Sequence, residues 1–386
     1  MTGARKLRIG FMPLVDAAAL IVAVDKGFAK AEGLEIELVR EASWSNIRDK
    51  LAIGHFDAAH LLTPMTIAST LGLGHVKVPF VAPVSLATNG NAITLSPALF
   101  EELGQIAGQE LENPAISAQA LGALVRRREA QGLEPLTFGM TFPFSTHNYQ
   151  LRYWMAEGGI DPDRDLRLVV LPPPFMTESL REGHVDGFCV GAPWSSVAVD
   201  AGLGVILHFG CEIFPRAPEK VLALRASSVE TDPQLALALV RAIAAAAEFV
   251  EDAGARGEVA SILAKEERLA VDAKLITRTL EGRMIVNAAG DQRQATDYLV
   301  IRRDGGCRPN VRHAAWLYAQ MLRWGQARYS LDHLSAAQGV MRHDLYDAVV
   351  GEASWSPEPI GAFAGPAFEG GDLPSYLRAF PIGEKI

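Results

Sequence analysis

The stretch Leu51-Ala52-Ile53-Gly54-His55-Phe56-Asp57-Ala58-Ala59-His60-Leu61-Leu62-Thr63-Pro64 can be laid over Leu180-Arg181-Glu182-Gly183-His184-Val185-Asp186-Gly187-Phe188-Cys189-Val190-Gly191-Ala192-Pro193. Leu, Gly, His, Asp and Pro recur at identical offsets across fourteen positions. Each copy reads as a helix ended by glycine, followed by a short strand whose carboxyl end enters a loop. Upstream of each copy lies the same kind of unit. Leu7–Met12 and Leu34–Val39 are apolar strands around a helix at Ala17–Ala31, with Gly33 at its exit. Leu136–Met140 and Leu166–Leu171 flank a helix from Thr146 to Glu157, ended by Gly158-Gly159. Apolar strands alternating with helices signal parallel sheet. Two such regions imply two similar α/β lobes with a cleft between them, where the carboxyl ends of parallel strands place ligands.

A chain of 386 residues exceeds one ordinary hydrophobic core and agrees with two lobes. With 49% hydrophobic and 21% charged residues it is neither disordered nor collagenous. The first lobe takes residues 1–92 and the second 93–215, while 216–386 return to the first lobe and add helices. Ala82–Leu95 carries the turn-rich Thr88-Asn89-Gly90-Asn91 into the second lobe, and Pro218–Arg225 brings the chain back. Leu103–Arg128 reads as helical with an interruption at Pro114. Beyond Pro218–Arg225, the segments Pro233–Glu251, Ala255–Glu266, Asp272–Ile285, Gln292–Arg303, Arg312–Trp324 and His333–Val350 read as mostly helical, and Pro357–Pro374 as a surface strap.

Lys and Arg number 36 against 45 Asp and Glu, a net charge of −9, and the basic residues are dispersed. Direct nucleic-acid or anionic-membrane binding is disfavoured, although one local positive pocket is not. Cys189, Cys211 and Cys307 are widely spaced and lack metal-ligand spacing, which argues for a reducing compartment and against structural zinc. No stretch approaches eighteen apolar residues, so no membrane span is expected, and Ala17–Val24, interrupted by Asp16, reads as a buried helix face rather than a leader. With Met1 as the start, the chain is expected to be cytoplasmic. There is no phosphate loop, dinucleotide fingerprint, nucleophile elbow or paired-histidine metal motif; binding without catalysis is the expectation, with no cofactor, no metal ligand and no catalytic residue.

The chemistry-bearing candidates sit in the loops after the strands. In Phe142-Pro143-Phe144-Ser145-Thr146-His147, Ser145 or Thr146 can cap the helix, and His147 in its first turn can join the backbone N–H groups in holding a small anion; a capped helix with a packed histidine fits equally well. Trp44, in Ser43-Trp44-Ser45-Asn46-Ile47, can wall a flat ligand. Asn89 and Asn91 offer amide donors without negative charge, although Asn-Gly-Asn is also a good turn. Gly191 lets a backbone N–H approach a ligand closely. Cys189 and Trp194 fit a structural role as well as a functional one. Lys220 can neutralise an enclosed anion or pair with Glu219.

Taken together, the Trp44 loop, Leu61-Leu62-Thr63-Pro64-Met65, Asn89-Gly90-Asn91-Ala92-Ile93-Thr94, Thr146-His147 with Arg152-Tyr153-Trp154, Pro172-Pro173-Pro174, Asp186 through Trp194, and Pro218-Glu219-Lys220-Val221-Leu222 resemble the nitrate- and bicarbonate-binding relatives of ABC-transporter solute-binding proteins. The resemblance implies an α/β, type II periplasmic-binding-protein fold, with two lobes, a central ligand cleft and extra C-terminal helices, closing over a small planar anion. It places Trp44 against the anion, an amide near Asn91, His147 and Lys220 as donors, and Gly191 as a backbone donor. The family pattern has glutamine where this sequence has Asn91, so that contact is lost, shifted or bridged by water. Nitrate is the preferred ligand and nitrite the second, with no carboxylate in these motifs inviting metal-assisted capture. Without a leader, the resemblance points to the cytoplasmic nitrate/nitrite-sensor (NasS-like) branch, whose protein partner is an RNA-binding antiterminator. The alternative is the binding component of a nitrate or bicarbonate importer, with a permease as partner. A thiamine-pyrimidine-synthase-like enzyme is the third reading.

Overall fold

The computed structural model describes residues 4–74, 76–351 and 360–384. Its strands are β1 (Arg5–Phe11), β2 (Leu34–Arg40), β3 (Ala58–Leu62), β4 (Phe80–Asn89), β5 (Asn91–Leu95), β6 (Thr137–Met140), β7 (Arg167–Val170), β8 (Gly187–Gly191), β9 (Val205–Phe209), β10 (Pro218–Arg225), β11 (Arg283–Ile285), β12 (Gln292–Gln294) and β13 (Leu299–Val300). The chain divides into two compact units. Unit 1 comprises Met1–Thr88, Pro218–Leu280 and Leu299–Glu358; unit 2 comprises Asn89–Ala217, Glu281–Tyr298 and Pro359–Ile386. The sequence reading gives all of 216–386 to the first lobe, whereas Glu281–Tyr298 and Pro359–Ile386 fall in unit 2.

The sheet of unit 1 has the order β13-β4-β10-β3-β1-β2, and that of unit 2 the order β7-β6-β8-β5-β9. In unit 1, β1 runs parallel to both β2 and β3, and β10 is antiparallel to β3 and β4. In unit 2, β6 runs parallel to both β7 and β8, and β5 is antiparallel to β8 and β9. In each sheet the first of three parallel strands lies between the other two, β1 between β2 and β3 and β6 between β7 and β8, and one strand, β10 or β5, runs antiparallel to both of its neighbours. The antiparallel strands come from the two ends of the crossing: β5 precedes the parallel strands of unit 2, and β10 follows them.

The repeated motif builds the same corner twice. Helix Trp44–Ala52 and helix Met176–Arg181 each stop just before a glycine, Gly54 at φ 81° and Gly183 at φ 68°, a conformation that side chains with a Cβ resist. The chain then enters β3 and β8, whose five residues are all buried, as strands covered on both faces require.

Helix Pro233–Glu251 is the largest addition to unit 1. Pro233 sits at its first position, and the Asp232 carboxylate accepts the Leu235 N–H at 3.2 Å. It packs on helix Ala18–Asp25, and among its buried residues are Leu239, Val240 and Ile243, each worth about 1.5–3 kcal/mol of apolar burial. By length and composition this helix is apolar enough to cross a membrane, which corrects the expectation that no stretch approaches a span; 56% of that window is buried inside the protein, so it reads as a core helix.

Helices Arg256–Leu263, Ala273–Leu280, Val311–Arg323, Leu331–Gly339 and His343–Val350 occupy the other stretches read as helical, except at Gln292–Arg303. That segment instead forms β12, paired antiparallel with β11 from Arg283↔Gln294 to Ile285↔Gln292, and then β13. Within it Arg293 is held by the Leu207 carbonyl at 3.0 Å and by the Phe209 ring, 4.7 Å from its guanidinium. Residues 357–359 of the expected strap lie outside the described residues, and Leu373–Arg378 within it is helical.

Candidate functional site

In unit 1 the candidate residues gather around Lys220. It lies on β10 opposite Leu62 of β3, fully buried, with Nζ 2.9 Å from Asp16 Oδ2 and 2.5 Å from Glu219 Oε1. Asp16 belongs to the turn Val15–Ala17 that opens helix Ala18–Asp25, and its Oδ1 is 3.0 Å from Nε2 of His60 on β3. The other ring nitrogen of His60, Nδ1, faces the backbone N–H of Met12 at 3.3 Å. A peptide N–H only donates, so Nδ1 accepts and Nε2 carries the hydrogen directed at Asp16.

The charges in this group follow from burial and proximity. Burial alone would raise the Asp16 carboxyl, but Lys220 and His60 outweigh it and bring it down to about 2. Burial pulls the Lys220 ammonium down, yet Asp16 and Glu219 hold it above its ordinary value. Burial also keeps His60 below its ordinary value despite Asp16, so the imidazole is neutral. One ammonium is thus enclosed by two carboxylates. Two of its three N–H donors are engaged by these carboxylates. The pairing with Glu219 weighed in the sequence is present, and Lys220 offers a directed hydrogen bond rather than an uncompensated charge.

Trp44 stands beside this group. It is the first residue of helix Trp44–Ala52, not part of a loop, and is only 1% exposed. Its indole meets the His60 ring edge-on, with centroids 5.4 Å apart, and Lys220 Nζ lies 5.5 Å from the indole centroid. The indole Nε1 is buried without a hydrogen-bond partner among the described residues.

Unit 2 arranges the remaining candidates. Helix Thr146–Glu157 is capped by Ser145, whose Oγ accepts the Asn148 N–H at 3.1 Å. His147 is buried in its first turn, with Nδ1 3.1 Å from Thr141 Oγ1. When Thr141 donates to Nδ1, Nε2 carries the hydrogen, the tautomer that can donate to an anion. Asn91 opens β5 and stands in register with Gly191, the last residue of β8. The Asn91 Nδ2 donates to Gln150 Oε1 at 3.0 Å, and the Cys189 thiol approaches the same oxygen at 3.6 Å. Gln150 Nε2 in turn donates to the Gly210 carbonyl at 3.2 Å, which fixes the orientation of both amides.

Asn89 has a different occupation. At φ 63° it donates through Nδ2 to the carbonyls of Pro215 at 2.8 Å and Asp297 at 2.9 Å, and its Oδ1 accepts the Ala217 N–H at 2.8 Å. Its amide is a strut of unit 2, as the turn reading of Asn-Gly-Asn allows.

The structure therefore brings Trp44 together with Lys220, and Asn91 with Gly191. Asp16, His60 and Gln150 were missed as members of these groups. Asp16 was visible as a carboxylate interrupting an apolar run, a place where burial demands a partner. His60 lies inside the otherwise apolar β3, and Gln150 lies three residues after His147, on the same helix face. Two carboxylates, Asp16 and Glu219, do stand in the Lys220 group. Their ammonium partner fills the space between them, and among the described residues no group of three or more His, Cys, Asp or Glu could hold a metal ion.

Comparison with known proteins places this geometry. Residues 2–264 match the NMT1-like family model. Over 98% of its length the chain is 33% identical to the nitrate import ATP-binding protein NrtC of Synechocystis sp., of which it spans 56%. It is 30% identical over 91% of its length to the bicarbonate-binding protein CmpA of Synechococcus elongatus, of which it spans 77%. The crystal structure of the periplasmic nitrate-binding protein NrtA from Synechocystis PCC 6803 superposes with a TM-score of 0.89 at 28% identity, covering 99% of both chains.

Likeness to import-system proteins, one of them described as periplasmic, overturns the cytoplasmic NasS-like sensor, and the antiterminator partner falls with it. That expectation rested on the absence of a leader, and where this sequence begins carries no such information. The chain has the type II periplasmic-binding-protein fold and belongs to the NMT1-like family of non-catalytic solute-binding proteins.

Proposed function

We propose that the chain is the solute-binding component of an ABC importer for a small planar oxyanion, nitrate or nitrite first and bicarbonate as the alternative, delivered to a permease driven by an ATPase. The observation that carries this reading is the full-length likeness to the nitrate-binding NrtA structure. The local chemistry supports it. A planar anion has acceptors only in its plane; unit 1 by itself offers the remaining Lys220 N–H beside the buried indole of Trp44, and unit 2 by itself offers His147 Nε2–H and the backbone N–H of Gly191. Asn91 is held by Gln150 and serves as a shorter counterpart of the glutamine in the family pattern.

Titration calorimetry against nitrate, nitrite, bicarbonate, sulfate and chloride tests the reading, with His147→Ala and Thr141→Val as variants. Nitrate or nitrite is expected to bind most tightly. His147→Ala should weaken binding at least tenfold, and Thr141→Val, which releases the imidazole tautomer, by a smaller factor. Absence of binding to every anion would reject the function, and full retention in His147→Ala would remove that residue from the site.

A further inference from the structure

The repeat that builds both units also places their ligand-side groups alike. Lys220 on β10 stands in register with Leu62, and Asn91 on β5 with Gly191. Leu62 and Gly191 hold the same place in the fourteen-residue repeat, and β10 and β5 are the antiparallel neighbours of β3 and β8. Each group is held by a side chain from the segment after its unit's first strand: Lys220 Nζ lies 2.9 Å from Asp16 Oδ2, and Asn91 Nδ2 donates to Gln150 Oε1 at 3.0 Å. Each holder is met in turn from one further shared place of the repeat, by His60 Nε2 at 3.0 Å from Asp16 Oδ1 and by Cys189 Sγ at 3.6 Å from Gln150 Oε1. The residue types differ while the order of contacts recurs, as a shared task requires. We propose that His60 is a positioning residue for anion binding, which through Asp16 fixes the Lys220 ammonium beside the Trp44 indole. The inference rests on the anion-binding reading above.

His60 is itself locked in place. Its Nδ1 accepts the Met12 N–H at 3.3 Å, so the hydrogen sits on Nε2 and points at Asp16. Its ring meets the indole of Trp44 edge-on. The other four residues of β3 are apolar and buried, and a polar ring among them is costly unless both nitrogens are paired. Burial holds the imidazole below its ordinary value, so it gives Asp16 a hydrogen bond without a second positive charge, and the carboxylate's charge is left to Lys220. Held at both oxygens, the Asp16 carboxylate cannot turn, and the ammonium it draws keeps its place 5.5 Å from the indole centroid. Glu219 meets the same ammonium from its own strand and Asp16 from the turn before helix Ala18–Asp25, so a shift of Asp16 changes the direction in which Lys220 is drawn. Without the His60 bond, Oδ1 would be buried unpaired and Asp16 would turn to seek another donor. Such support of a binding group by a fixed neighbour lowers the cost of ordering it when the ligand arrives.

The test is calorimetry of the full chain with sodium nitrate, using His60→Phe and His60→Gln. Phenylalanine keeps a ring against Trp44 but offers Asp16 no donor, whereas glutamine carries an amide N–H near the place of Nε2–H. His60→Phe is expected to weaken the nitrate Kd about tenfold, and His60→Gln to stay within about threefold of wild type. In Asp16→Asn protein, where the holder is already altered, His60→Phe should add less than about twofold. Folded His60→Phe protein that binds nitrate as tightly as wild type overturns the inference and leaves the function intact, and so does a full tenfold loss added to Asp16→Asn. His60→Gln as weak as His60→Phe overturns the assignment of the effect to the Asp16 hydrogen bond. Should His60→Phe fail to fold, heteronuclear NMR of histidine-labelled wild-type protein decides. It should show His60 neutral with its hydrogen on Nε2, both with and without nitrate, and a hydrogen on Nδ1 overturns the inference. No binding of any anion by the wild-type chain would overturn the function and this inference with it.

Discussion

Asp57 and Asp186 close the same corner in the two units. The Oδ2 of Asp57 accepts the Arg8 N–H at 2.8 Å while its own N–H returns to the Arg8 carbonyl at 2.9 Å; Asp186 does the same with Thr137, at 2.8 Å for both bonds. Each aspartate thus pins the entry of the third strand to the first. Alanine at either position leaves a part-buried N–H without its acceptor and is expected to cost about 1–3 kcal/mol, measured by urea unfolding. Asparagine keeps an acceptor oxygen and should cost less. Equal losses in the Ala and Asn variants would show that the carboxylate charge, not the hydrogen bond, holds the corner.

That corner is the reason the fold was readable. The aspartate, the glycine at positive φ and the buried strand after it each satisfy a local backbone requirement, so they leave a pattern in sequence. The exposed motif histidine His55, which contacts Arg8, has no ligand role to read. The groups around Lys220 were only partly legible, because Asp16, His60 and Glu219 come from three distant segments and depend on the sheet order to meet. The Gln292–Arg303 segment was misread because its partners, Leu207 and Phe209, lie far away in sequence. Local periodicity carries no trace of such contacts.

Lys220 is also a structural cation. Lys220→Met leaves Asp16 and Glu219 buried with their shared countercharge gone, and should destabilise the protein by about 3–5 kcal/mol in chemical unfolding. Adding Asp16→Asn to Lys220→Met removes one stranded charge and should recover part of the loss. A Lys220→Met protein as stable as wild type would mean that the carboxylates find other partners or protonate at little cost.

Acid should act on stability in two steps. His60 and His208 are buried and held below the ordinary histidine value, so the unfolded chain binds more protons as pH falls through about 6.5, and stability should decline from there. Asp16 is depressed from 3.8 to about 2, so its contribution, about 2 kcal/mol, is complete above pH 4 and lost as pH falls from about 4 to 2. Urea midpoints across this range should show both declines, and Asp16→Asn should lack its share of the lower one. A lower decline unchanged in Asp16→Asn would assign that step to other carboxylates.

Asn89 separates a strut from a ligand group. Alanine there loses two donated bonds and one accepted bond, and also places a Cβ residue without local side-chain hydrogen bonds at φ 63°, so a loss of about 2–4 kcal/mol is expected. Asn89→Gly loses the same bonds but tolerates the backbone conformation, and should be more stable than Asn89→Ala by about 1 kcal/mol. Because the Asn89 amide is committed to Pro215, Asp297 and Ala217, folded Asn89→Gly protein should bind nitrate within about twofold of wild type, whereas Gln150→Leu, which removes the acceptor of the Asn91 Nδ2, should bind more weakly. Calorimetry on the two variants decides the matter, and a tenfold loss in Asn89→Gly with an intact fold would return Asn89 to the ligand set.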